Sequence, residues 1–359
     1  MTGKKQSAVI MLGPSLDSRG GMASVVNGYI NAGIRDVCDF EYIETTRPGS
    51  VVAKVLAGIS AYARFRKALT GCDVVHLHIG AGVSPIRKSL FAKAAKRAGK
   101  AVVIHEHRGV LAELYREGGD DFARKTRDLY ELADVAIVLS EEWKNFFAAN
   151  VCDPSKLFVL HNSVPAPVDT PVLGREEKVL FLGHMTDVKG PDILVKAIPE
   201  VVKYHPACRF IFAGDGDTRP YRVLAEELGV LDSCEFVGWV ADQEKDCLLR
   251  GCPIYCQPSR NEGMPMALLE AMGYGRACIA TRVGGVPQVV DDGRDGILVD
   301  PLDYERIGGA IVSLLENREA IEEIGKAARL KVMDDFAPAK SIERLSMLYE
   351  KLTRKTANR

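Results

Sequence analysis

Apolar positions along the chain fall into two kinds of run. Short, β-branched, continuous ones are SAVIMLGP (7–14), DVVHLHI (73–79), AVVIHEH (101–107), DVAIVLS (134–140) and KLFVLHN (156–162). Between them lie stretches of helical period, such as SLFAKAAKRAGK (89–100). Unbroken rather than alternating runs imply strands buried on both faces, hence a parallel sheet covered by helices. The pattern breaks in the proline-rich stretch SVPAPVDTPVLGREE (163–177) and then restarts. The second series is KVLFLGH (178–184), RFIFAGDG (209–216), CEFVGWV (234–240), PIYCQPS (253–259), ACIATR (277–282) and GILVDP (296–301). The expectation is an α/β protein of two Rossmann-like domains in series, facing across a cleft, with ligand at the carboxyl ends of the strands. The boundaries read as 1–165, a linker at 166–177, and 178–340, with a C-terminal helix at about 341–359 packing back on the first domain.

Length and composition agree with two soluble domains. The chain has 359 residues, 47% of them hydrophobic and 26% charged. A net charge of −1 argues against a bulk nucleic-acid binder. The nine cysteines are scattered without a CxxC pair or zinc-ligand spacing, so reduced thiols are expected rather than a metal or disulfide framework. The N-terminal apolar run is too short for a signal peptide and reads as a first strand. No window approaches the roughly 20 apolar residues of a membrane span, so a cytoplasmic protein is expected.

One region is charged unevenly. Residues 51–100 carry ten basic side chains (from Lys54 and Arg64 to Arg97 and Lys100) against one acid, Asp73, beside apolar residues such as Phe65, Leu69, Leu90 and Phe91. Such a face attracts an anionic membrane surface or a lipid diphosphate by about 1 kcal/mol per basic residue. A solvated helix face is the commoner fate of charge runs. Aromatic residues interleaved for base stacking are missing, which disfavours RNA.

The densest chemistry lies in QPSRNEGMPMALLEAMGYGRACIAT (257–281). Glu262 and Glu270 are eight positions apart, separated by Gly263-Met264-Pro265 and a helix-forming run. That is a little over two helical turns, so both carboxylates are expected to face one pocket, Glu262 from the loop and Glu270 from the helix. Two acceptors beside a helix N-terminus suit a ligand with hydroxyls and an anionic group.

Other stretches are weaker. Gly20-Gly21-Met22 follows the first strand and opens a helix, as either a phosphate-approaching loop or a plain tight turn. Gly183 to Gly190 places Lys189 just before a helix start, where an ammonium adds to free N–H groups around a diphosphate. His107, in the run His105-Glu106-His107-Arg108 at a strand end, can donate to a sugar hydroxyl or a developing charge; a strand-end histidine satisfied by backbone is the plainer reading. His76 and His78 fit packing better than metal binding. Asp215-Gly216-Asp217 spells the DxD of some metal-dependent sugar transferases, but at this position Gly and Asp are ordinary turn formers.

With these residues in hand, the chain resembles the retaining, nucleotide-sugar-dependent glycosyltransferases of family 4, which have the GT-B fold. The similarity is dense in PSRNEGMPMALLEAMGYG and ACIATRVGGVPQVVDDGRDGILVDP and looser in GGMASVV, HLHIGAGVSPIRKSLF and HEHRG. The resemblance implies that Glu270 grips the ribose and Glu262 the donor sugar, with Gly263, Met264 and Pro265 as close backbone. It implies that Lys189 binds the diphosphate, that the Gly20-Gly21 loop covers the phosphates, that His107 lies near the reacting sugar, and that loops such as Gly238-Trp239 read the base. Glu262, His107 and Lys189 are thereby the candidate catalytic residues. No metal or other cofactor is implied beyond the UDP or GDP of the donor. The implied acceptor is a lipid-linked saccharide or glycan, in exopolysaccharide or surface-glycan synthesis, reached at the inner face of the membrane. Retention is pictured as front-face attack, with the leaving phosphate taking the acceptor proton. An epimerase on the same plan and a non-catalytic subunit of a polysaccharide-synthesis complex are the alternatives. One departure stands out: Gly183-His184 replaces the family's Gly-Arg, so a conditional cation stands where a permanent one is usual, unless Arg108 or Arg260 compensates.

Overall fold

A computed structural model describes residues 6–47, 49–80, 84–107, 111–169 and 176–357. Two compact units divide the chain: Met1–Ser163 with Pro338–Arg359, and Val164–Ala337. Half of the linker expected at 166–177, residues 170–175, lies outside the described residues.

The first unit is built on six parallel strands, β1 (Ala8–Gly13), β2 (Asp39–Glu44), β3 (Val74–Ile79), β4 (Ala101–Glu106), β5 (Val135–Val138) and β6 (Leu157–Val159). They are arranged β2-β1-β3-β4-β5-β6. All six positions of β3 and of β4 are buried, as continuous apolar runs require. Strand β2 is the one that pattern reading misses. DFEYIE alternates acids with apolar residues and only Ile43 is buried, because β2 is an edge strand with one solvated face.

The C-terminal helix Pro338–Ala357 belongs to this unit. Ile342, Leu345, Leu348 and Leu352 are buried, each worth roughly 1.5–3 kcal/mol. Polar ties complete the attachment: Arg344 donates to the Val159 carbonyl, and the Thr353 and Ser7 hydroxyls are 2.9 Å apart.

The second unit repeats the plan with β7 (Lys178–Leu182), β8 (Arg209–Ala213), β9 (Cys234–Gly238), β10 (Ile254–Gln257), β11 (Ala277–Thr281) and β12 (Ile297–Val299). The order is β12-β11-β10-β7-β8-β9, all parallel. Connections leave β7 toward β8 on one side, whereas β10 lies on its other side. The loops after β7 and β10 therefore emerge side by side at a topological switch point, where open α/β sheets bind ligands. Helix Pro191–Tyr204, which follows β7, starts with proline at its first position and buries Ile193, Leu194, Ala197, Ile198 and Val201 against the sheet.

The basic stretch 51–100 needs correction. Phe65, Leu69 and Phe91 are core residues of the first unit, and Lys88 is buried rather than part of a surface. The apolar side chains that do face out are Val52, Val55, Leu56 and Ile59 on helix Val51–Ala68, and Ile86 and Leu90 on helix Ser84–Arg97. Their helical spacing makes a stripe, with Lys54, Arg64, Arg66, Lys67, Lys93 and Arg97 exposed around it.

Candidate functional site: a lysine-glutamate pair at the switch point

Strand β10 and the loop after it turn two side chains, Gln257 and Ser259, onto one carboxylate, with Tyr255 behind the first. The Tyr255 hydroxyl donates to Gln257 Oε1 (2.7 Å), which turns the Gln257 amide to donate to Glu262 Oε1 at 2.8 Å. Ser259 Oγ donates to the same oxygen at 2.7 Å. Glu262 itself is 4% exposed. A carboxylate that deep needs a counter-charge. Lys189 supplies it, with Nζ at 2.7 Å from Oε1 and 2.8 Å from Oε2.

The backbone is shaped for this approach. Lys189 ends a short 3₁₀ turn, and Gly190 has φ +71° before helix Pro191–Tyr204. A Cβ on Gly190 would stand 2.1 Å from the Pro258 carbonyl oxygen, so only glycine lets the β7 and β10 loops touch. Gly284 does the same from beyond β11. Its φ is +51°, and a Cβ there would meet the Glu262 carbonyl at 1.8 Å, while Gly285 N–H donates to the Gly263 carbonyl at 2.9 Å. The glycine pair downstream of the two glutamates thus clamps the loop that carries the first.

Gly263 and Pro265 lead into helix Met266–Gly273, which has no side-chain cap, and Met264 is buried beneath. Glu270 sits in the second turn and pairs with Lys245 Nζ at 2.8 Å. Lys245 was not legible as a site residue: it is a lone lysine in the charged helix Asp242–Gly251, and no motif marks it. The two carboxylates thus have separate lysines.

His184, after β7, is exposed, with Nδ1 at 2.5 Å from the Asp215 carbonyl oxygen and 3.2 Å from its carboxylate. Arg260, named as a substitute cation, is committed elsewhere. Its guanidinium forms a bidentate pair with Asp192 (2.8 and 2.7 Å), and burial of Asp192 is outweighed by that pairing, so its carboxyl stays below the ordinary range. Arg108, the other substitute, lies outside the described residues. Asp217 is turned to Arg219, whose hydrogen bonds pull it down to about 2. Gly238 has φ +77° at the end of β9 and its carbonyl accepts from Gly214 N–H at 2.7 Å; Trp239 is 40% exposed.

In the first unit, Gly20 has φ +123°, a value that favours glycine, and Gly21 begins helix Gly21–Asn31. His107 follows β4 and stacks on His105 and His78. His76, His78 and His105 are fully buried, and burial holds all four rings below their usual pKa, His76 at about 3 and His107 at about 4. All four are therefore neutral at pH 7. Glu106, between two of them in sequence, points the other way and accepts from the Tyr130 hydroxyl at 2.6 Å.

Residues 168–331, just under half of the chain, match the family described as glycosyl transferases group 1. Among curated relatives, it is 32% identical over 197 residues to a D-inositol 3-phosphate glycosyltransferase of Corynebacterium jeikeium, covering 52% of this chain and 45% of the relative. It is 25% identical over 271 residues to a putative colanic acid biosynthesis glycosyltransferase of Salmonella typhimurium, covering 68% and 65%. The chain thus spans from about half to just under two thirds of these relatives' length. Among solved structures, sucrose-phosphate synthase from Thermosynechococcus elongatus aligns with TM-score 0.82 at 16% identity, over 98% of this chain and 100% of that one. Anabaena HepE, in complex with UDP and glucose, aligns with TM-score 0.77 at 16% identity, over 96% and 100%. The fold is GT-B.

Proposed function

We propose that the protein is a retaining glycosyltransferase that moves a hexose from a UDP- or GDP-sugar to a lipid-linked saccharide or glycan, in bacterial exopolysaccharide or surface-glycan synthesis. The observation that carries this reading is the Lys189–Glu262 pair at the β7/β10 switch point. Lys189 spends its charge on a buried carboxylate yet stays one-third exposed in front of a helix N-terminus. An ammonium so placed has a third N–H to offer a leaving diphosphate, together with the backbone N–H groups. The relatives' printed activities, and the UDP and glucose bound by a protein of the same fold, support the substrate class. The resemblance assigns Gly20, Gly21 and His107 of the first unit to the same reaction, and His184, Gly238, Trp239, Gly263, Met264 and Pro265 to donor contacts. Incubation with labelled UDP- and GDP-hexoses and a membrane lipid extract tests it: label in the lipid fraction supports transfer, a free epimer supports the epimerase alternative, and binding without turnover supports a non-catalytic subunit.

Glu270 is assigned to the ribose diol. Glu270→Ala removes hydrogen bonds to a charged acceptor, worth about 1.5–3 kcal/mol. The nucleotide dissociation constant should rise roughly 10- to 100-fold by titration calorimetry. Unchanged affinity would remove Glu270 from the ribose.

For the acceptor side, we infer contact with an anionic membrane surface. No described helix is long and apolar enough to cross a membrane. The stripe Val52, Val55, Leu56 and Ile59, each more than half exposed, is rimmed by basic residues, which suits interfacial seating without insertion across the bilayer. Leu56→Glu with Ile59→Glu should cut co-sedimentation with anionic vesicles at least about tenfold, since charges replace apolar contacts and repel the surface. Binding that ignores both the double substitution and the vesicle charge would end this part of the proposal.

A further inference from the structure

Four histidines line one face of β3 and β4. His76 and His78 alternate along β3, His105 and His107 along and just beyond β4, and His78 sits opposite His105 in the register. They form two hydrogen-bonded chains. In one, the Tyr349 hydroxyl lies 2.7 Å from His76 Nδ1, and His76 Nε2 lies 3.3 Å from His105 Nδ1. In the other, His78 Nδ1 lies 2.8 Å from His107 Nε2, with the rings stacked at 19°. Both chains end at a ring nitrogen, His105 Nε2 and His78 Nε2, that is buried with no hydrogen-bond partner.

We propose that His78 sets the tautomer of His107, so that His107 carries its single proton on Nδ1 and presents a neutral donor at the carboxyl end of β4. The two rings share one hydrogen bond and one of them must donate. If His107 Nε2–H donated, the His78 proton would sit on Nε2, as an N–H in the interior without an acceptor. If His78 Nδ1–H donates, Nε2 keeps only a bare lone pair. Orphaned buried N–H groups are the rarer and costlier outcome, so the proton lies on His78 Nδ1. The same rule carries through the other chain, with Nδ1–H of His105 donating to His76, and Nδ1–H of His76 donating to Tyr349.

The three buried rings also bring ligand nitrogens within 4.8 Å of one another. However, His76 and His78 stack almost in parallel, at 8°, and the Lys88 amine lies close enough to act on both. That arrangement suits a column of neutral rings better than a cation site.

The consequence for chemistry is specific. His107 Nδ1 has no bond to a described residue, and with its proton there it gives a hydrogen bond and accepts no proton. Its ligand atom is an oxygen with a free lone pair, either a sugar hydroxyl or an oxygen gaining charge as the donor bond breaks. That identification of the ligand rests on the proposed glycosyl transfer, whereas the tautomer does not. His78 touches no substrate in this account; it is a positioning residue.

Long-range ¹H–¹⁵N correlation on the full chain labelled with ¹⁵N-histidine, at pH 7.5, reads the tautomer directly. The His107 signals are assigned by their loss in His107→Asn. The expected wild-type result is one neutral species protonated at Nδ1. In His78→Phe, which keeps an aromatic ring but removes the donor, His107 should revert toward the Nε2–H form that free histidine prefers. Transfer should then lose roughly tenfold in kcat with donor KM little changed, a loss of one transition-state contact. An Nε2–H signal for His107 in the wild type overturns the proposal without the variant, should His78→Phe not fold. An unchanged tautomer in a folded His78→Phe also overturns it. If no transfer is found with any donor but the Nδ1–H signal is present, the functional proposal fails and the tautomer assignment stands.

Discussion

Lys189→Met should lower the rate of glycosyl transfer by about 10²–10³-fold, the usual effect of removing one preorganised donor from a site of developing negative charge. Methionine keeps the length of the stem, so the loss is that of the ammonium. Two of the three Nζ protons are held by the two oxygens of Glu262, 2.7 and 2.8 Å away. The ammonium therefore does not have to be ordered when substrate arrives, and preorganisation is what makes such a contact effective. The carboxylate also competes with a diphosphate for the same charge. Glu262→Gln should thus act in the opposite direction on binding, with nucleoside diphosphate held up to about tenfold more tightly, while, on the proposed function, transfer slows because the sugar meets a neutral acceptor in place of a charged one. Steady-state kinetics and titration calorimetry on both variants decide the matter. Transfer by Lys189→Met within twofold of the wild type would show that the diphosphate charge is met elsewhere, and His184, exposed beside Asp215, is the next residue to substitute.

How much of this was readable beforehand depends on the range of each interaction. Strands buried on both faces announce themselves, so eleven of the twelve strands among the described residues coincide with apolar runs, and the exception is the acid-rich edge strand Asp39–Glu44. The spacing of Glu262 and Glu270 was equally legible because it is local. Their partners were not. Lys189 is 73 positions from Glu262, and Lys245 is 25 from Glu270 in a helix with no distinguishing pattern. Only strand order brings the β7 and β10 loops together, and periodicity does not encode strand order. Gly284 and Gly285 show the same limit: as sequence they are a conspicuous tail, and their reason, a close approach to the backbone of Glu262 and Gly263, exists only in three dimensions. The basic stretch was misjudged for a different reason. Composition counts Lys88, Phe65 and Phe91 as surface neighbours, although helical phase turns all three inward.

The histidine face of the first unit should make that unit acid-sensitive well above the pH at which carboxylates titrate. Burial lowers all four imidazole pKa values, with Lys88 adding to His76 and His78, and Glu106 opposing the shift at His107 only. An unfolded chain binds protons on these rings from about pH 6.5 downward. The folded unit does not until about 4 for His107 and about 3 for His76. Because the unfolded state then holds more protons, stability rises with pH. It is complete above about 6.5 and drains away as pH falls through the window toward those folded values. At pH 5, His76 alone costs about 2 kcal/mol; His107, partly exposed, adds less, and His78 and His105 act in the same direction. A total near 4 kcal/mol is a large share of the roughly 5–15 kcal/mol that holds a domain together. Scanning calorimetry between pH 7.5 and pH 5 should therefore lower the first unit's transition by about 8–16 °C. The second unit has no buried histidine among its described residues and should move much less. His76→Phe should flatten the first unit's pH dependence by about half, its share of about 2 kcal/mol in a total near 4. A first-unit transition that shifts by less than about 2 °C over this range would mean that the rings protonate without unfolding, and that the neutral column is not what the interior requires.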